Sequence, residues 1–225
     1  MGVLVLFDID GTLLHGRPEA HTHAMTDAMA RVWGVPVVPD DVWAIGPAGR
    51  TDRAIARIVL RGHRVPDADI DAGTGEWMEL ACALHASVAG DHPAPVAAPD
   101  ARDVMLALHA DGAEAALVTG SLEAIGRHKV AAAGLGDLFA PGGGGFGGDS
   151  EERGDLVRLA RARAQGTHAD GEVIVVGDTP RDIAAARDAG VRVVAVTTGA
   201  HDASALAGAD GVVPSLAAAL ALIRA

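Results

Sequence analysis

At 225 residues, 49% of them apolar and 21% charged, the chain is long enough for one domain carrying an insertion or for two modest domains, and general disorder is excluded. A formal net charge of −12, with arginines scattered among acids, excludes nucleic acid and anionic lipid as partners, although a metal and a local cluster of donors can still admit a small anion. The single cysteine, Cys82, and the lack of any apolar run fit to span a bilayer or direct export point to a cytoplasmic protein with no membrane partner.

In chain order, residues 3–7 read as a short buried strand that ends at Asp8-Ile9-Asp10-Gly11-Thr12. Alternation along the strand turns Asp8 and Asp10 to one side and Ile9 to the other. Two carboxylates so close repel unless a cation lies between them, although an acidic turn after a strand is a common arrangement in itself. Roughly a hundred residues then pass before the next clear strand, too many for a simple crossover. Residues 21–32, 51–60 and 76–88 carry helical spacing, the second after a Thr51 cap, so the inserted segment reads as a small helical bundle. Asp91-His92-Pro93-Ala94-Pro95 forms a stiff return path, one strand of a hinge.

The second half alternates strand and helix. A helix opens at Pro99-Asp100 and closes at Gly112, followed by a strand at 115–118, a helix at 122–133, another at 153–164, a strand at 173–176, a helix at 180–189 and a strand at 191–196. The glycine-rich segment 141–149, with Phe146 in its middle, reads as a poor strand or an ordered loop. This alternation predicts an α/β fold, a Rossmann-like doubly wound parallel sheet that places ligands at its carboxyl edge. Thr119-Gly120-Ser121 lies at that edge, where a hydroxyl and the amides of a helix start can cradle phosphate, although Ser121 also suits plain capping. Gly177-Asp178-Thr179-Pro180-Arg181-Asp182 ends a later strand. Thr179, Pro180 and Asp182 read as a helix cap, which leaves Asp178 unexplained. Lys129 is the only lysine, one or two turns into the helix after Ser121, and offers a compact charge.

Asp8-x-Asp10-Gly-Thr, Thr119-Gly120-Ser121, a basic residue and Gly177-Asp178-x-x-x-Asp182, in that order, resemble the haloacid dehalogenase (HAD)-like hydrolase superfamily, in its phosphoglycolate phosphatase and β-phosphoglucomutase-like branch. The resemblance implies a core of residues 1–14 and 94–225 with a helical cap at 15–93. It implies a hydrolase that removes phosphate from a small phosphorylated metabolite through an aspartyl phosphate on Asp8, with Asp10 as acid and base. It implies Mg²⁺ held by Asp8, Asp178 and the backbone carbonyl of Asp10, with Asp182 in support, and a cradle of Thr119, Gly120 and Ser121. Gly49-Arg50-Thr51-Asp52 is the segment expected to offer Arg50 and Thr51 to the substrate, against the reading of a capped surface helix. Many relatives place a lysine in a Gly-Lys-Pro segment, where this chain reads Asp149-Ser150-Glu151-Glu152-Arg153, so Lys129 takes the basic role with Arg153 in reserve. A second acid, Asp10, argues against a dehalogenase, and a cap without lysine argues against a phosphonate hydrolase. A phosphosugar mutase and a non-catalytic phosphoacceptor module stay open as alternatives, as does monomer against dimer.

Overall fold

A computed structural model describes residues 2–225. The first core strand, β1 (Leu4–Phe7), is followed by β2 (Leu14–His15) and then by four consecutive helices, α1 (Glu19–Trp33), α2 (Pro39–Ala44), α3 (Asp52–Gly62) and α4 (Asp67–Val88). The chain returns through β3 (Val96–Ala97) and α5 (Ala101–Ala110), then β4 (Glu114–Thr119), α6 (Glu123–Ala132), β5 (Gly145–Phe146) and α7 (Arg153–Ala162). It closes with β6 (Val173–Gly177), α8 (Pro180–Asp188), β7 (Arg192–Val196), β8 (Gly211–Val213) and α9 (Leu216–Ile223).

Six strands form one sheet in the order β5-β4-β1-β6-β7-β8, every neighbouring pair parallel. The topology is the doubly wound one expected from the alternation of strands and helices. β1 lies between β4 and β6, so the three segments carrying Asp8, Thr119 and Asp178 end side by side at one edge. Successive β1 side chains enter opposite faces, as a central parallel strand requires. Val5 and Phe7 pack with Met105, Leu108 and Ile223 on the face of α5 and α9, whereas Leu4 and Leu6 pack with Leu156, Ala160 and Ala186 on the face of α7 and α8.

The helical insert has a third cluster of its own, with Met25, Met29, Ile55, Val59 and Trp77, and it takes in Leu122 and Ile125 from α6. Each such side chain removed from water contributes on the order of 2 kcal/mol, so the insert is anchored to the helix that follows β4. The chain enters and leaves the insert through β2 and β3, which pair antiparallel with Leu14 opposite Ala97 and His15 opposite Val96.

One element departs from its sequence reading for a physical reason. α4 begins at Asp67, nine residues before the expected start at 76, because Gly73 and Gly75 weaken the local helical signal. Tertiary packing overrides that signal, since a Cβ at Gly73 would press on the Trp33 ring of α1. The glycine-rich stretch resolves into the edge strand β5, with Phe146 buried and the Arg127 guanidinium 5.0 Å from its ring centroid.

Candidate active site

Asp8, Asp178 and Asp182 are buried, and oxygens from the three carboxylates lie within 4.8 Å of one another. The backbone shapes this proximity. Gly11 has φ +90°, and a Cβ there or at Gly199 would overlap the Asp178 carboxylate, so two glycines form the slot that holds it. Thr12 Oγ1 donates to Asp178 Oδ1 at 3.0 Å, and Thr198 Oγ1 donates to the Gly11 carbonyl at 2.6 Å. Asp182 completes the expected capping box, with its Oδ2 accepting from the Thr179 amide at 2.9 Å and from Thr179 Oγ1 at 2.7 Å. Its second oxygen does something a cap does not. Arg153 Nε and Nη2 both donate to Asp182 Oδ1, at 2.9 and 2.6 Å, while the same Nη2 donates to Asp8 Oδ1 at 2.7 Å.

Lys129 reaches the strand edge as well, but on the other side. Its Nζ donates to Asp10 Oδ2 at 2.6 Å and to Ser121 Oγ at 3.2 Å. The two basic residues are therefore divided, Arg153 to Asp8 and Lys129 to Asp10. The Asp10 carboxylate stands apart from the three-acid cluster, with its side chain 38% exposed toward the cavity. Thr119 Oγ1 accepts from the Ser121 amide at 3.2 Å and, with Gly120 and Ser121, lines the same cavity.

Burial pushes the Asp8 carboxyl up to about 7 against the pull of Arg153, and the charges of Asp182 and Asp10 add to the rise. Burial, together with repulsion from Asp8 and Asp182, pushes Asp178 up to about 8. For Asp10 burial works in the same upward sense, yet the Lys129 ammonium and its hydrogen bond outweigh it and hold the group below the usual carboxylate range. Arg153 keeps its charge despite burial, because Asp182 and Asp8 favour the cation. One guanidinium does not balance three buried acids. A divalent cation bound among their oxygens would relieve the strain, and the all-oxygen donor set suits a hard ion.

The cavity above these groups is about 460 Å³, within the range for small-molecule sites, and reaches into the insert. Arg17 lies over Trp43, 4.4 Å from its ring centroid, and Arg50, which has no ion pair among the described residues, also faces the space. Thr51 is the helix cap read for it and does not line this cavity. Its hydroxyl donates to the Glu151 carbonyl at 3.0 Å and caps the Ala54 amide at 3.2 Å, so it joins insert to core behind the cavity wall.

No sequence motif marks Thr198 or Gly199. They lie just past the strand end at Val196, but nothing local marks the slot around Asp178. Asp52, expected within a capped surface helix, is 2% exposed and accepts from His21 Nε2 and from the Leu122 amide, each at 2.8 Å. Of the histidines near the entry to the insert, His21 holds Asp52 and His23 packs beside His92 with ring centroids 5.3 Å apart. Among the described residues the one acidic or histidine group compact enough to hold a metal is that of Asp8, Asp178 and Asp182, and no helix is long and apolar enough to cross a membrane.

A doubly wound sheet with acids at the ends of β1 and β6 and a hydroxyl at the end of β4, beneath a helical insert, defines the class of the protein, and the family model for haloacid dehalogenase-like hydrolases matches residues 3–190. The chain belongs to that family. Its likenesses lie in the phosphoglycolate phosphatase and β-phosphoglucomutase-like branch. A phosphoglycolate phosphatase of Pseudomonas putida is 30% identical over 199 residues, covering 87% of this chain and 70% of the relative. Two solved structures share the fold. One, from Bacteroides vulgatus and assigned as a β-phosphoglucomutase, has a TM-score of 0.69 at 22% identity over 99% of this chain and 88% of the other. The other, CbbY from Rhodobacter sphaeroides in complex with phosphate, has a TM-score of 0.64 at 20% identity over 96% of each chain.

Proposed function

We propose that the protein is a magnesium-dependent phosphohydrolase that cleaves a small phosphate monoester, with phosphoglycolate the first substrate to test. The observation that carries this reading is the convergence of Asp8, Asp178 and Asp182 around one point, bridged by Arg153 and facing the Thr119 turn. Mg²⁺ would be held by Asp8, Asp178 and the Asp10 carbonyl, with Asp182 in support, and when bound it offsets negative charge on the phosphoryl oxygens.

An Asp8 oxygen attacks phosphorus as the bond to the leaving oxygen breaks, which gives an aspartyl phosphate. Asp10 passes a proton to the leaving oxygen, then takes one from the water that opens the acyl phosphate, so phosphate and free Asp8 result. In the resting site Lys129 holds Asp10 ionised, so a proton from solvent loads the carboxyl before the leaving oxygen takes it, and the water that opens the acyl phosphate returns one. Thr119, Gly120 and Ser121 orient the phosphoryl oxygens, and Arg153 holds Asp8 in line while adding positive charge beside them. Arg153 thus takes the place of the lysine that relatives carry, and Lys129 serves Asp10. Residues 15–93 act as the cap that excludes water, with Arg50 offering its charge to the leaving group. An unpaired arginine on that side favours a leaving group with its own negative charge, such as a carboxylate.

The test is phosphate release from a panel of monoesters, 2-phosphoglycolate included, with Mg²⁺ and with chelator, for the wild type and Asp8→Asn. Metal-dependent release lost in Asp8→Asn is the expected result. Turnover that survives the substitution, or no release from any monoester, overturns the reading.

A further inference from the structure

The turn after β4 owes part of its shape to the helical insert. Leu122 is the N-cap of α6 and has no side-chain oxygen with which to hold the first turn. The acceptor comes instead from 70 residues away, where Asp52 at the start of α3 takes the Leu122 amide on Oδ2 at 2.8 Å. The Asp52 amide in turn donates to the Gly120 carbonyl at 2.8 Å. His21, from α1, donates to the same Asp52 oxygen and fixes the carboxylate from behind. With Asp52 2% exposed, water cannot readily replace any of these bonds.

A second observation is independent of the carboxylate. A Cβ at Gly120 would overlap the Arg50 carbonyl, and one at Gly147 would overlap the Gly120 carbonyl and come 3.0 Å from the Asp52 amide. Residues 50–52 and 120–122 therefore meet backbone to backbone, a contact that only glycines permit.

We propose that Asp52 is a positioning residue that ties seating of the insert on the core to formation of the phosphate cradle. The inference rests on the phosphohydrolase reading for what the cradle holds. Asp52 acts through the Leu122 amide and the Gly120 peptide, so the turn takes its binding shape when the insert is docked and loosens when it lifts. Closure over a substrate and ordering of its phosphate site then become one event.

The test compares wild type with Asp52→Ala and with Asp52→Asn, which keeps one carbonyl acceptor. Three readouts apply, namely hydrogen exchange by residue, the inhibition constant of inorganic phosphate, and kcat and KM with Mg²⁺ present. For Asp52→Ala, exchange at residues 120–123 rises by about tenfold or more while that of β6 is unchanged, and phosphate inhibition weakens by about tenfold. Asp52→Asn falls between the two. A uniform rise in exchange, or unchanged phosphate inhibition with kcat/KM within about twofold, assigns Asp52 to fold stability alone and overturns the proposal. If the alanine variant does not fold, the asparagine variant carries the same readouts. A wild type that hydrolyses no phosphate ester would defeat the functional reading, and local exchange at residues 120–123 would still decide whether Asp52 holds the turn.

Discussion

Asp8 and Asp10 stand two residues apart at the end of one strand, yet the two sides of the cleft treat them in opposite ways. On one side Asp8 is buried beside Asp178 and Asp182 with a single guanidinium among three acids, and its carboxyl is pushed up to about 7. On the other side Asp10 has Lys129 to itself at 2.6 Å and is held below the ordinary range. Sequence proximity thus says little about protonation. The difference follows from which distant cation each carboxylate meets, and it divides the site into a crowded half that suits a divalent ion and a paired half that suits proton transfer.

The largest effect is expected from the crowded half. Asp8→Asn should reduce turnover by at least ~10⁴-fold, with circular dichroism unchanged, because the nucleophile is lost while the buried volume is kept. Asp10→Asn should lower kcat by roughly 10²–10⁴-fold without displacing the metal, as measured by retained Mg²⁺ binding. If it instead abolished Mg²⁺ binding, the division between the halves would fail.

Exchanging the cations sharpens the comparison further. Arg153→Ala should cost about 10²–10³-fold in kcat and lower stability, because it removes a charge beside the phosphoryl oxygens and leaves Asp8 and Asp182 without their buried partner. Lys129→Ala should cost about 10–10²-fold, with its effect concentrated on slow leaving groups. Equal losses with fast and slow leaving groups would place Lys129 on the phosphoryl side.

The smallest effect is on stability. Asp8 and Asp178 have folded-state values raised to about 7 and about 8, so their contribution to stability is fully present below about 4 and is lost as pH rises through those values. The metal-free protein should therefore lose several degrees of Tm between pH 6 and 8.5 from this source, and Mg²⁺ should restore more at pH 8.5 than at pH 6. Calorimetry at the two pH values, with Mg²⁺ and with chelator, checks this. Equal stabilisation by Mg²⁺ at both would remove the two carboxyls as its ligands.

By itself the sequence determined the alternation of strands and helices from α5 to β7, the helical nature of the insert, and the acids and hydroxyls at the ends of β1, β4 and β6. These are readable because burial period and helix caps are local, as Thr179 and Asp182 illustrate with a box closed within three residues. Only the tertiary structure decided how the charges pair. Arg153 meets Asp8 across 145 residues, Lys129 meets Asp10 across 119, and Asp52 meets the Leu122 amide across 70. No periodicity encodes such partners. They are selected by which helix packs on which strand end, and by glycines such as Gly11 and Gly120 that let backbones and carboxylates approach where any side chain would keep them apart.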